Sequence, residues 1–396
     1  MQDYPGVSTE GRTLMGPGPS NVHPRVLQAL AMPTLGHLDP EFLEIMNRTK
    51  ELLAKTFETE NEFTIPISGT GSAGMETALV NIIEPGDRVL VCVNGLFGQR
   101  MADIVTRCGG DLALVEAEWG KIVEPERVEE ALKARRTDVV AIVHAETSTG
   151  VLQPIQPIAE LAHRYGALLV VDAVTSLGGA PVCVDATGID VCYSGTQKCL
   201  SCPPGLAPIT LGARAQAKLG ARKTKVQSWY LDLAMLHSYW GKERFYHHTA
   251  PVNMIYALYE SLRIVHEEGL EERFARHRLH SDALKAGITA MGLRLFAQEG
   301  YRAPMLTSVE VPEGVDDARI RRHLLTHYRL EIGGGLGPLK GRIWRVGLMG
   351  HSCTQANVML FLGALEEALT AAGYRVEPGA GELAAANHYS ARDADF

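Results

Sequence analysis

Leu168-Leu-Val-Val-Asp172 and, further along, Asp190-Val-Cys-Tyr-Ser-Gly-Thr-Gln-Lys198 decide how this chain is read. Each is a short apolar run without polar alternation that ends in small or charged residues. Strands covered on both faces of a parallel sheet have this pattern. In an open α/β sheet, ligands bind beyond the carboxyl ends of the strands, so Asp172 and Lys198 are expected to face one crevice. A lysine amine can form an imine with an aldehyde. An aspartate can keep a pyridine nitrogen protonated, so that the ring accepts electrons from a substrate carbon. Read singly, Lys198 is a solvated loop lysine and Asp172 a cap on the turn that follows. Together, in this order, they point to pyridoxal 5'-phosphate held on Lys198.

Outward from this pair, further buried strands are expected at 88–93, 138–144, 167–172, 189–194 and 207–211. Helical patterns lie between them at 40–57, 74–83, 125–134 and 155–165. Such alternation predicts a doubly wound α/β domain with a mostly parallel central sheet. The later chain changes character. Long helices are expected at 253–269 and 271–291, a strand near 307–311, a helix at 318–328, a strand at 343–348 and a closing helix at 355–372. These make a smaller C-terminal α+β domain. The expected division is an N-terminal arm at 1–20, a large domain at 21–280, a small domain at 281–376 and a small, polar, loosely ordered tail at 377–396.

A third element is Ser68-Gly-Thr-Gly-Ser-Ala-Gly74, which runs into a helix. Glycines let a backbone come close, and a helix start offers free N–H groups to an anion. No Gly-Lys-Ser/Thr follows, so this is not a Walker loop. Beside Lys198 it reads as a phosphate cradle.

Composition narrows the partners. The 396 residues are 46% hydrophobic and 21% charged, enough for a large core split between two units. A net charge of -8 without a basic stripe argues against nucleic acid. The seven cysteines are odd in number and mostly sit in apolar runs, which suits buried thiols in a reducing compartment. Cys199 and Cys202 have C-x-x-C spacing, but no second pair completes a zinc site, so no metal is expected. The first twenty residues lack the apolar core of a signal peptide, and no run of about 18 apolar residues could span a membrane. The expected location is the cytoplasm.

GPGPSNVHPRVL (16–27), SGTGSAGMETALVNIIEPGD (68–87), NGLFGQR (94–100), ETSTGVLQP (146–154), VVDAVTSLGG (170–179), YSGTQKCLSCPPG (193–205), WYLDL (229–233), YHHTAPVN (246–253) and WRVGLMG (344–350) follow one another along the chain. In these motifs, spread over nearly its whole length, the chain resembles class V, fold-type I pyridoxal-phosphate aminotransferases of the alanine–glyoxylate/serine–glyoxylate group. The resemblance implies that Thr70, Gly71, Ser72 and Gln197 bind the cofactor phosphate. It implies that Phe97 stacks on the pyridine ring and Thr147 donates to the phenolic oxygen. Tyr246 and Thr249 would reach the phosphate of a neighbouring subunit, making a homodimer with shared active sites. Arg345 would clamp the substrate carboxylate, a task suited to a guanidinium fork. Relatives often carry histidine in place of Ser72 and tryptophan in place of Phe97.

The implied reaction moves an amino group from a small amino acid to glyoxylate, giving glycine and a 2-keto acid. Three segments, 118–126, 195–201 and 291–296, are also similar to bacterial ureidoglycine–glyoxylate aminotransferases. That group carries glutamine and asparagine where this chain has His37 and Trp229. Without those amides a ureido donor loses hydrogen-bonding partners, so alanine or serine is the expected donor, with His37 beside the substrate. Trp229, if it points inward, should shorten the pocket. The alternatives are a ureidoglycine–glyoxylate aminotransferase and a 2-aminoethylphosphonate–pyruvate transaminase, which would need extra cationic groups. A cysteine desulfurase would need Cys353 as a mobile nucleophile. A non-enzymatic cofactor-binding regulator would have no use for Arg345.

Overall fold

The structure, a computed structural model, describes residues 6–7 and 11–393. Its larger part is built on seven strands: β1 Phe63–Ser68, β2 Arg88–Val93, β3 Asp111–Glu116, β4 Val139–Val143, β5 Leu168–Asp172, β6 Val191–Tyr193 and β7 Leu206–Leu211. Their order across the sheet is β1-β7-β6-β5-β4-β2-β3. All pairs are parallel except those of β7, which runs antiparallel to both β1 and β6. Every residue of β4 and β5 is buried. That explains their unbroken Val/Leu/Ile character, since helices cover both faces of such a sheet.

Two strands of this sheet escaped the sequence reading, and both are its edges. β1 contains Pro66, which lacks an N–H and is tolerated because only one neighbour needs pairing. β3 is partly exposed at most of its positions, so its apolar signal is diluted. Helix bounds were legible where the start is marked locally. Pro40–Phe57 opens with Pro40 at the first helical position behind Asp39, whose side chain accepts from the Glu41 N–H. Pro125–Ala134 likewise opens on proline.

A second core gathers Leu284, Ile288, Trp344, Val346, Phe361 and Leu362. Its sheet orders β8 Leu306–Glu310, β10 Ile343–Gly347 and β9 Gly333–Gly334, with β10 in the middle. Helix Leu270–Ala290 runs without a break from the first core into the second, so the division expected near 280 falls inside a helix. The N-terminal segment belongs with the second core. Thr13–Leu14 pairs with Leu330–Glu331, and Met15 is buried in it. The first residues of the expected arm lie outside the described residues.

The tail departs from expectation. Ala380–Asp393 is a helix packed on Leu270–Ala290. Its small residues permit close approach, a role composition alone hides. A Cβ on Gly287 would meet the Gly381 carbonyl at 2.7 Å, and one on Gly381 would meet Met291 Sδ at 2.9 Å. Ala385 is buried, and Tyr389 hydrogen-bonds His280 at 3.0 Å. Residues 394–396 lie outside the described residues.

Candidate active site

The carboxyl ends of β1, β2, β4, β5 and β6 converge on a cavity of about 180 Å³. Thr70, Gly71, Ser72, Phe97, Thr147, Asp172, Gln197 and Lys198 all line it. The fold therefore brings together eight of the residues picked from sequence.

Asp172 ends β5 and is 4% exposed. Its Oδ1 accepts from the Val174 N–H at 2.8 Å, so it does cap the turn. Its Oδ2 accepts from the Tyr193 hydroxyl at 2.9 Å. Parallel register puts Tyr193 directly beside Asp172 on one face of the sheet. Burial pushes the carboxyl up to about 7, against the pull of those two donors. No cation pairs with it among the described residues, and a protonated ring nitrogen would be the missing partner.

Lys198 lies on the loop after β6. Burial, then the nearby Arg345 charge, brings its amine down to about 8. The amine donates to the Pro17 carbonyl. Gly18 has a φ of +100, and a Cβ there would sit 2.5 Å from Lys198 Nζ. The Gly/Pro segment near the N-terminus is thus part of the site, a role that sequence reading did not assign. Ser20 holds the same loop, its N–H donating to the Gln197 carbonyl at 2.9 Å and its hydroxyl to the Lys198 carbonyl at 2.8 Å.

Helix Gly71–Ile82 starts at the cavity behind Thr70, with no side-chain cap. The N–H groups of Gly71 and Ser72 have no partner among the described residues, and Gln197 Oε1 is buried without one. Free N–H groups at a helix start suit a phosphate. With Asp172 opposite a nearby lysine, the residues present fit pyridoxal phosphate.

Glu146 was passed over as part of a motif. It is 1% exposed, and its Oε2 accepts from the N–H of Phe97 at 3.0 Å. Its Oε1 accepts from the N–H and hydroxyl of Ser148 at 3.0 and 2.6 Å. It thereby caps helix Leu96–Arg107 from across the sheet, because Gly95 has no side chain to do so, and it sets where Phe97 stands. Acceptance of helix-start N–H groups by a buried acid leaves no sequence-local trace.

Arg345 sits in the middle strand of the small sheet and is buried. Its Nε donates to the Gly334 carbonyl at 2.7 Å and its Nη1 to the Thr147 carbonyl at 3.1 Å. Burial lowers it to about 10. No carboxylate lies within ion-pair distance among the described residues.

His37, Tyr246, Thr249 and Arg345 do not line this chain's cavity, though Arg345 reaches the carbonyl of Thr147, which does. Tyr246 is 55% exposed with His37 against it, ring centroids 5.3 Å apart. Trp229 is 59% exposed and stacks on His247 at 4.4 Å. Its indole faces outward, so the condition for shortening the cavity of its own chain is not met. Cys353 is fully buried, and burial pushes its thiol up to about 12. It lacks the mobile, ionisable thiol a desulfurase needs.

The architecture and the chemistry of this cavity define the class, a fold-type I pyridoxal-phosphate-dependent transaminase. Within it, the chain belongs to the class-V aminotransferase family, whose pattern matches residues 16–337. It is similar to the crystal structure of ureidoglycine–glyoxylate aminotransferase from Bacillus subtilis, at 44% identity and TM-score 0.95, over 97% of this chain and 99% of that one. It is also similar to the crystal structure of alanine–glyoxylate aminotransferase from Nostoc sp., at 46% identity and TM-score 0.91, over 93% and 97% of the two chains. Alanine–glyoxylate aminotransferase of Callithrix jacchus is 44% identical over 92% of this chain and 89% of its own. Among the described residues, no helix is long and apolar enough to cross a membrane.

Proposed function

We propose that the chain transfers an amino group from alanine or serine to glyoxylate, as a homodimer in the cytoplasm. One observation carries the carboxylate-substrate part: Arg345 is a buried guanidinium without a carboxylate partner. Glu146 acts on it only from beyond ion-pair distance. A buried charge is costly to leave without a direct partner, and a substrate carboxylate would supply one. Relatives named alanine–glyoxylate aminotransferase support the choice of substrates. Bound pyridoxal phosphate supplies an aldehyde that carries the amino group and a ring that takes up the electron pair of the substrate Cα–H bond. Arg345 orients the carboxylate, so that the Cα proton faces Lys198. The freed Lys198 amine removes that proton and returns it on the other side of the transfer. Asp172 holds a proton at the ring nitrogen. Gly71, Ser72, Thr70 and Gln197 would hold the phosphate, Phe97 would cover the ring, and Thr147 would donate to the phenolic oxygen.

The exposed aromatic cluster of Trp229, Tyr230, Phe245 and Tyr246 supports the dimer. In it, Tyr246, Thr249 and His37 would complete the neighbour's site. Sedimentation at micromolar concentration should give twice the 43.0 kDa chain mass; a monomer would remove these three residues from the site.

Replacing Arg345 by alanine should weaken donor and acceptor alike, because one group holds both. Truncating a buried charge-assisted contact costs on the order of 2–5 kcal/mol. An unchanged apparent affinity for glyoxylate in steady-state kinetics would refute the assignment. The second reading, ureidoglycine as donor, is favoured by the similarity to the Bacillus subtilis enzyme over 97% of this chain. Specificity constants for alanine, serine and ureidoglycine at fixed glyoxylate decide between them. If ureidoglycine leads by tenfold, about 1.4 kcal/mol of transition-state preference, the small-donor reading fails.

A further inference from the structure

Arg100 stands three residues after Phe97 on helix Leu96–Arg107, hence on the same helical face. Its guanidinium carbon lies 5.0 Å from the centre of the Phe97 ring, and its Nη1 lies 3.2 Å from Ser72 Oγ. Ser72 belongs to a different helix, Gly71–Ile82. One cation thus joins the two cavity walls, one assigned to the cofactor ring and one to its phosphate. Arg100 does not itself line the cavity and has no carboxylate partner among the described residues.

The chemistry of the contact has a direction. A guanidinium has five N–H donors and no acceptor, and a serine hydroxyl has one proton and two lone pairs. Ser72 Oγ must therefore accept from Arg100, which leaves its proton free to be given elsewhere. Since Ser72 lines the cavity, that proton can go to an anion there. A charge-assisted contact on the oxygen also polarises the O–H bond and makes it a better donor. On Phe97, the cation restrains the ring through its π face.

We propose that Arg100 is a positioning residue that sets how tightly this chain grips the phosphate of its cofactor, acting through the Ser72 hydroxyl and the Phe97 ring. The proposal rests on the pyridoxal-phosphate reading of the cavity. Arg100 is exposed, so its removal should leave folding intact.

The test titrates cofactor-stripped, full-length protein with pyridoxal phosphate and, separately, with pyridoxal, which lacks the phosphate. The variants are Arg100→Met, Arg100→Lys, Ser72→Ala and the Met/Ala double. Arg100→Met should weaken pyridoxal phosphate about tenfold, the loss of roughly one charge-assisted hydrogen bond. It should weaken pyridoxal much less, through the ring contact alone. Arg100→Lys keeps the charge and should recover most of the loss. The double variant should be little worse than Ser72→Ala, because the two residues act as a unit. Thermal unfolding of the stripped variants should match wild type. Wild-type-like phosphate-cofactor affinity in Arg100→Met would overturn the proposal, as would losses that add to those of Ser72→Ala or fall equally on pyridoxal. A wild-type chain that takes up neither compound would overturn the cofactor reading and this inference with it.

Discussion

Lys198→Ala should leave a folded protein that retains no cofactor covalently and transaminates at less than about a thousandth of the wild-type rate. The lysine has two tasks, and the variant loses both. Its amine attaches the cofactor, and afterwards it carries the Cα proton, a contribution typically about 10²–10⁴-fold. Lys285 is half-buried, but it does not line the cavity. Among the described residues, no other lysine lines the cavity to take over. Borohydride reduction followed by peptide mass spectrometry should place the cofactor on the Lys198 peptide in wild type and nowhere in the variant. Turnover within tenfold of wild type would end the central assignment. The amine also predicts a pH dependence. A lysine lowered to about 8 is charged below that pH and neutral above it. Only the neutral form attacks an aldehyde, so covalent capture by cofactor-free protein should slow as pH falls below about 8. A flat rate between pH 6 and 9 would mean that another step governs capture.

Asp172→Asn should bind the cofactor yet turn over more slowly by at least about a hundredfold, close to 2.7 kcal/mol at 1.36 kcal/mol per tenfold. A neutral amide can keep the places of the Val174 and Tyr193 contacts. It cannot hold a proton on the ring nitrogen, so the ring becomes a poorer sink for the Cα electron pair. The carboxyl's environment sharpens this. Burial holds Asp172 near 7 in the cofactor-free chain. A protonated ring nitrogen opposite it would favour the ionised form across the working range. Equilibrium dialysis for cofactor retention, beside single-turnover rates with saturating donor, separates binding from chemistry. Near-wild-type single-turnover rates would take Asp172 out of the site.

The site was legible in unequal parts. Asp172 and Lys198 stood out because each follows a buried apolar run, and strand ends are where this kind of sheet places ligands. The glycine run at 68–74 was legible from its own glycines and the helix it opens, although the strand before it escaped the reading. Glu146 was not, because its value comes from the start of a helix that lies far from it in sequence. Nor was Gly18, whose lack of a side chain matters only because Lys198, 180 positions later, extends its amine into that space. The orientation of Trp229 was not legible either: the motif left open whether its ring points inward, and the fold stacks it outward on His247.

By itself, the sequence determined the doubly wound core, the helix starts at Pro40 and Pro125, and the class of cofactor chemistry. These follow from hydrophobic periodicity, proline geometry and residue types placed at the ends of recognisable strands, each of them a local signal. Tertiary structure alone decided that the tail is a packed helix, that Met15 belongs to the second core and that Arg345 is buried without an ion-pair partner among the described residues. It also decided that Arg100 bridges two walls of the cavity. Each of these depends on close approach or burial between segments distant in sequence, and such distances exist only once the chain has folded.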